Sequence, residues 1–436
     1  MDDAGLALAV TAGVLFVGLL SGLPIAFGLA LSALAGATVM LGPNSLAMMG
    51  SIPYSHTHGF SLLAIPMFIL MGNILLEFGI GGVLFRHVSR LVGQTRGGLA
   101  MASTVMCSIF GFVCGSSSAS CATIGGNTLP EMERRGYDRR LALGTLATAG
   151  SIAVLIPPSI IMVVYAILAN ASLGAVMIGG IVPGIVLTAA IMSYLYLRVR
   201  INPRLAPVDT NDATAREKLA AIVGLLPVAA LFVAIIGGLF FGIWDAIEAS
   251  AAGVFLALVL CLGYFRRLSW PPLRRALVST VQTSVMIYML IVGGNLLAYV
   301  FFITGVQAAI AGFVTDSGLP AWGILVLIGI IYMILGTFLD VIAMLTITVP
   351  IFLPIVSAAG YSPVWFGIYA VLFSEMALIT PPVGINLFVI KGIAPAGTRV
   401  MDVAIGAAPY IGVIWLVALA LIAFPGLALY LPSIMR

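Results

Sequence analysis

Charge is the scarcest property of this chain. Asp, Glu, Lys and Arg make up 8% of its 436 residues and 62% are hydrophobic, where a soluble domain carries about 25% charged residues. With a mean hydropathy of +1.20, this excludes an ordinary soluble protein. Several uncharged runs reach the length of roughly 18 residues that marks a membrane-spanning helix. They lack the alternation of barrel strands, and lipid offers no partner to free backbone groups, so the expected fold class is an all-α integral membrane protein.

Other scarcities exclude chemistry. There are three histidines, His56, His58 and His87, none placed to act as the base that an intramembrane serine hydrolase needs. No GxxxxGK[ST] run occurs, so ATP hydrolysis in this chain is unsupported. Of four cysteines, Cys107, Cys114 and Cys121 are spaced by seven without a CxxC pair, which favours buried packing residues over a metal site. The opening "MDD" lacks the basic start of a signal peptide, so the first apolar run is expected to remain as a helix. The formal charge of +4 sits in loop clusters and gives no reason to expect a nucleic-acid partner.

All basic residues but Arg436 fall into five clusters: Arg86 to Arg96, Arg134 to Arg140, Arg198 to Lys218, Arg266 to Arg275, and Lys391 with Arg399. By the positive-inside rule these are cytoplasmic, and the basic-free loops at 42–59, 170–174, 242–245, 304–320 and 357–363 lie outside. Crossings are expected at 5–20, 23–41, 60–79, 141–169 and 174–198, then at 219–241, 246–264, 276–303, 362–390 and 403–430. Two segments, 98–131 and 321–357, begin and end on one side and are too short for two crossings of about 20 residues each. Each reads as a re-entrant hairpin, with tips at "GSSSAS" (115–120) and "GTFLD" (336–340). Two stretches, "GIGGVLFRHVSRLVGQTRGG" and "RRLSWPPLRRAL" with Trp270, read as helices lying on the cytoplasmic surface, with plain loops as the alternative.

Five crossings plus a hairpin, twice, imply inverted halves: a first repeat at 1–200, a linker at 201–218, and a second repeat at 219–436. The letters agree. Pro130, Gly136, Tyr137, Pro157 and Pro158 recur 224 residues later as Pro354, Gly360, Tyr361, Pro381 and Pro382. Inverted repeats with interrupted helices are the pattern of secondary transporters, whose ion and substrate sites lie at the breaks. A Pro-Pro pair removes two N–H donors and frees the carbonyls of the preceding turn. One pair alone favours a simple kink, but two repeat-related pairs, in the broken helices 141–169 and 362–390, favour a site. The tips add hydroxyls, and Asp340 and Glu375 are acids within apolar segments, where ionisable groups are expensive and usually functional.

"LIPPSIIMVVYA", "GSSSAS" followed by "ATIGGNTLPEMERRGY", "PMFILMGNIL" and "ITPPVGINLFVIKGI" resemble the large membrane subunit of tripartite ATP-independent periplasmic (TRAP) transporters, the DctM-like family. The resemblance implies an elevator-type permease of the bacterial inner membrane, multi-pass and not an enzyme. It would use Na+ as coupling ion and no organic cofactor. The cargo implied is an organic anion, commonly a carboxylate such as a C4-dicarboxylate or sialic acid. The partners implied are a periplasmic substrate-binding protein and a small four-helix membrane subunit.

Carried onto this chain, the resemblance gives Na+ to Gly115, Ser116, Ile156, Pro157, Gly336, Thr337, Asp340, Thr380, Pro381 and Gly384. It gives the carboxylate to Ser116, Ser117, Ser118, Ser159, Thr337 and Asn386, and the helix breaks to Pro158 and Pro382. The chain departs from the family at "IWDAIEAS", 243–250, where a "TPTEA" element is common. A stand-alone Na+/carboxylate symporter is the alternative, and an intramembrane hydrolase a remote one.

Overall fold

The computed structural model describes residues 3–57, 59–91, 95–208, 214–264, 269–316 and 318–435. Among them all regular secondary structure is helical, apart from one isolated bridge between Arg96 and Val208. The first half runs α1 (Asp3–Leu20), α2 (Ile25–Leu41), α3 (Ser45–Thr57), α4 (Ala64–Glu77) and α5 (Ile80–Leu91). It continues through α6 (Gly98–Cys114), α7 (Ser117–Arg134), α8 (Arg139–Ile152), α9 (Ile160–Leu168), α10 (Leu173–Gly179) and α11 (Ile181–Ile201). The second runs α12 (Ala215–Phe232), α13 (Gly238–Phe240), α14 (Ala246–Val259), α15 (Trp270–Ile303) and α16 (Val306–Asp316). It ends with α17 (Ala321–Gly336), α18 (Val341–Ala358), α19 (Pro363–Ala377), α20 (Ile385–Ile393), α21 (Val400–Ala423) and α22 (Gly426–Ser433).

Nine helical stretches among the described residues are long and apolar enough to cross a membrane. The helices of the expected hairpins and breaks are mostly shorter: α6, α17 and α19 are apolar but fall below that length. Helix–turn–helix pairs, α6–α7 and α17–α18, stand where the hairpins are expected, and both Pro-Pro pairs interrupt helices, between α8 and α9 and between α19 and α20.

Four expectations need correction. The loops at 42–59 and 304–320 contain helices α3 and α16; charge places a loop on one side but cannot show that an uncharged loop is coiled. The Trp270 stretch is not a separate surface helix, because Trp270 begins the 34-residue α15, with Pro271 and Pro272 tolerated in its first turn, where N–H groups have no partner anyway. The first hairpin tip shrinks to Gly115 and Ser116, and Ser117 to Ser120 form the first turn of α7. The last crossing is divided at Phe424 and Pro425 into α21 and the short α22. The stretch around Arg86 does form an amphipathic helix, α5, with Ile80, Leu84 and Val88 buried and Arg86 and Arg90 exposed.

Small residues let these helices approach closely, as is usual where lipid tails remove any hydrophobic preference for helix over solvent. α8 meets α21 where Gly144 faces Gly406; a Cβ on Gly144 would overlap the Gly406 backbone. One turn away the Thr145 and Tyr410 hydroxyls bond at 2.6 Å. On α15, a Cβ at Gly293 would press on the Ala26 carbonyl of α2 at 2.8 Å, and one at Gly294 would overlap Thr346 of α18.

Candidate functional site

The first break begins where Pro157 and Pro158, joined by a cis peptide, cannot donate to the carbonyls of Ala153 and Val154. Both of those residues are fully buried. Among the described residues no other donor reaches either oxygen. Ser159 restarts the helix as the N-cap of α9, accepting from the Met162 N–H at 3.4 Å. Hairpin 1 closes on this break. Gly115 has φ +57°, and a Cβ on it would stand 3.1 Å from the Pro158 carbonyl, so the lack of a side chain admits both the left-handed turn and the close approach. Ser116 caps α7, accepting from the Ala119 N–H at 3.4 Å, with the Ser118 hydroxyl 3.4 Å away.

The second break is satisfied differently. Pro381 and Pro382 are again joined cis, but the Ala377 carbonyl takes the Thr380 N–H at 3.0 Å and the Leu378 carbonyl takes the Asn386 N–H at 3.1 Å. Gly384, φ +51°, makes the return turn. The Thr380 hydroxyl donates to Met376 at 2.8 Å and the Thr337 hydroxyl to Ile334 at 2.7 Å, which leaves lone pairs on both oxygens for another ligand. At the second tip, Gly336 lies against Ala377 of α19 and Met344. Asp340 caps α18, accepting from the Ile342 N–H at 3.1 Å. Ser116 and Asp340 are 224 residues apart and do the same local job.

The halves meet at side chains. Asn386, fully buried, donates to Ser117 at 2.7 Å and to Ser151 at 3.1 Å. Ser151 in turn donates to the Glu375 carbonyl at 3.1 Å. The structure thus brings Ser117 and Asn386 together in a buried cross-link, and it brings Gly115 to Pro158. Pro157, Pro158 and Ser159 are buried, whereas Pro381 and Pro382 are exposed. A separate polar cavity of about 460 Å³, lined by Ser55, Ser61, Asn170, Ser172 and Asn295 among others, touches none of the predicted site residues.

One feature escaped sequence reasoning. Ser151 was one serine among many in an apolar helix; only its place six residues before Pro157, matching Glu375 before Pro381, marked it. Glu375, one of the two acids noted in the sequence, is 1% exposed and lies beside the Ser117 side chain. No group of three His, Cys, Asp or Glu side chains suited to a metal occurs among them. A hard cation at the breaks would find carbonyls and hydroxyls as donors, and the orphaned Ala153 and Val154 carbonyls fit that chemistry.

Comparison with known proteins decides the family. Residues 12–427 match the family model described as "Tripartite ATP-independent periplasmic transporter, DctM component". The chain belongs to this family. The DctM family match makes it a transporter permease rather than an enzyme, a multi-pass protein of the bacterial inner membrane and one component of a tripartite system.

Among DctM relatives, the chain is similar to the C4-dicarboxylate TRAP transporter large permease protein DctM of Pseudomonas aeruginosa, with 32% identity over 92% of this chain and 93% of that one. It is 34% identical to the isethionate TRAP transporter permease protein DctMQ of Oleidesulfovibrio alaskensis, over 87% of this chain and 59% of that longer one. Among solved structures, the YdaH transporter of Alcanivorax borkumensis superposes with a TM-score of 0.63 at 15% identity, covering 90% of this chain and 91% of that one. At that identity the likeness concerns the fold alone.

Proposed function

We propose that this DctM-family chain is the large permease subunit for Na+-coupled uptake of a small organic anion, delivered by a periplasmic binding protein and moved together with a small four-helix membrane subunit. The observation that carries the reading is the pairing of each hairpin tip with a Pro-Pro break, twice, at repeat-related positions. On this reading the two halves, 1–200 and 219–436, are inverted repeats, and the tips with their breaks move as one elevator body.

Na+ is held by backbone carbonyls at the first break, with Gly115, Ser116, Ile156 and Pro157 around it. A second site uses the Thr337 and Thr380 hydroxyls, with Gly336, Pro381, Gly384 and Asp340 beside them. A hard cation suits these oxygens, and coordination answers the cost of leaving buried carbonyls unpaired. The anion is held between the tips by hydroxyls and N–H groups of Ser116, Ser118, Ser159 and Thr337, with no basic residue required. Ser117 and Asn386 hold the tip from behind.

The substrate class is a carboxylate. The Pseudomonas relative's name specifies a C4-dicarboxylate, which supports that class, and sialic acid belongs to the same test panel. The test is uptake into proteoliposomes holding both membrane subunits, with the binding protein outside. Uptake unchanged when Na+ is replaced by choline would defeat the coupling. Equal uptake without the binding protein would favour a stand-alone symporter.

A further inference from the structure

Hairpin 1 borders an apolar slot of about 370 Å³. Leu84 of α5, Ile109 and Phe112 of α6, Val228 and Ala229 of α12, and Ile156 at the first break reach into it. Phe112 and Phe232 meet edge to face at 4.8 Å across its wall. Its one hydroxyl, Ser108, is already engaged by the Thr104 carbonyl and by Thr188, each at 3.0 Å. The slot therefore offers hydrocarbon contact and nothing for a polar ligand.

Its rim is basic. α5 crosses α12 at Gly224, where a Cβ would overlap the His87 ring. Burial, then Arg90 and Arg86, hold His87 below the usual imidazole range. Beyond His87, Arg86 and Arg90 stand exposed on α5, and Arg216 and Lys218 begin α12. Against these four cations, the one acid among the described residues at the start of α12 is Glu217, which feels the field of Arg90. An apolar slot between helices under a basic rim is the combination that binds an acidic lipid head group with its chain. The positive-inside rule puts both clusters at the cytoplasmic surface, where such lipids reside.

We propose that this slot holds an acyl chain of an anionic membrane phospholipid, with its phosphate at Arg86 and Arg90. The chain wedges between hairpin 1 and α12 and abuts Ile156, next to Pro157. Anionic lipid thereby sets how readily the first hairpin and break move against α12.

The test uses the assembled transporter, purified and reconstituted in phosphatidylcholine alone or mixed with phosphatidylglycerol. Native mass spectrometry should find phosphatidylglycerol retained in preference to phosphatidylcholine, and uptake should rise severalfold when it is present. Ala229→Trp, which fills the slot, should abolish retention and stimulation together. Arg86→Gln with Arg90→Gln should remove the preference for the acidic head group. Val228→Phe serves if Ala229→Trp does not assemble. Retention and stimulation unchanged in the filled-slot variants would overturn the proposal, as would equal retention of both lipids by the unaltered protein. Efficient cross-linking of Ala229→Cys to the small subunit would also overturn it, by showing that protein fills the slot.

Discussion

The Ser151 hydroxyl donates to the main-chain carbonyl of Glu375 at 3.1 Å, and the two residues are 224 positions apart, the same interval that separates the Pro-Pro pairs. The positions six residues before each break thus touch each other. Hydrogen bonds between membrane helices average about 0.6 kcal/mol and reach roughly 1.7. Ser151→Ala should therefore shift the melting temperature in detergent only slightly. Uptake should fall severalfold, because the contact couples the two breaks. A loss of stability without any loss of uptake would reduce the contact to scaffolding.

Asn386 is a larger stake. Its amide bonds Ser117 and Ser151, so Asn386→Ala leaves two buried hydroxyls without their donor, a loss of about 1–3 kcal/mol. Hairpin 1 should loosen. A reporter cysteine at Ser118, half-buried beside the tip, should react faster with a maleimide in the Asn386→Ala background than in the parent. An equal rate would count against Asn386 as the latch.

Asp340 has a local task, capping α18, and a proposed one, facing Na+. Asn caps a helix about as well as Asp, whereas Ala costs about 0.5–2 kcal/mol. Asp340→Asn should keep the melting temperature and weaken the Na+ dependence of uptake, while Asp340→Ala should lower both. If Asp340→Asn transports with the parent's Na+ dependence, the carboxylate is a cap and nothing more.

Gly144 permits the close approach of α8 to α21. Overpacking such a contact costs about 1–3 kcal/mol or more, so Gly144→Leu should sharply reduce folded yield by size-exclusion chromatography. Gly126→Ala, with nothing within 4 Å of the added carbon, should leave yield unchanged.

At the exposed start of α12, the Thr214 N–H and hydroxyl hold Glu217 below the usual carboxylate range. The depressed value means that the capping contribution is present above the unfolded carboxylate's pKa and is lost as pH falls through the folded value. Amide exchange in the first turn of α12 should accelerate at acid pH, and Glu217→Gln should remove much of that pH dependence.

Local physics made much of this legible from the letters. Hydropathy sets which runs cross lipid, a proline's missing N–H sets where a helix must break, and Pro157 and Pro158 recur as Pro381 and Pro382 in a second broken helix. Each depends on residues within a turn or two of each other, or on simple repetition. Packing decided the rest. Only the fold shows that Asn386 meets Ser117 across 269 residues, that Asp340 is a cap while Glu375 is buried beside Ser117, and that one break is enclosed while its twin lies open. Such contacts depend on how helices far apart in the chain are stacked, and no stretch of sequence carries that information by itself.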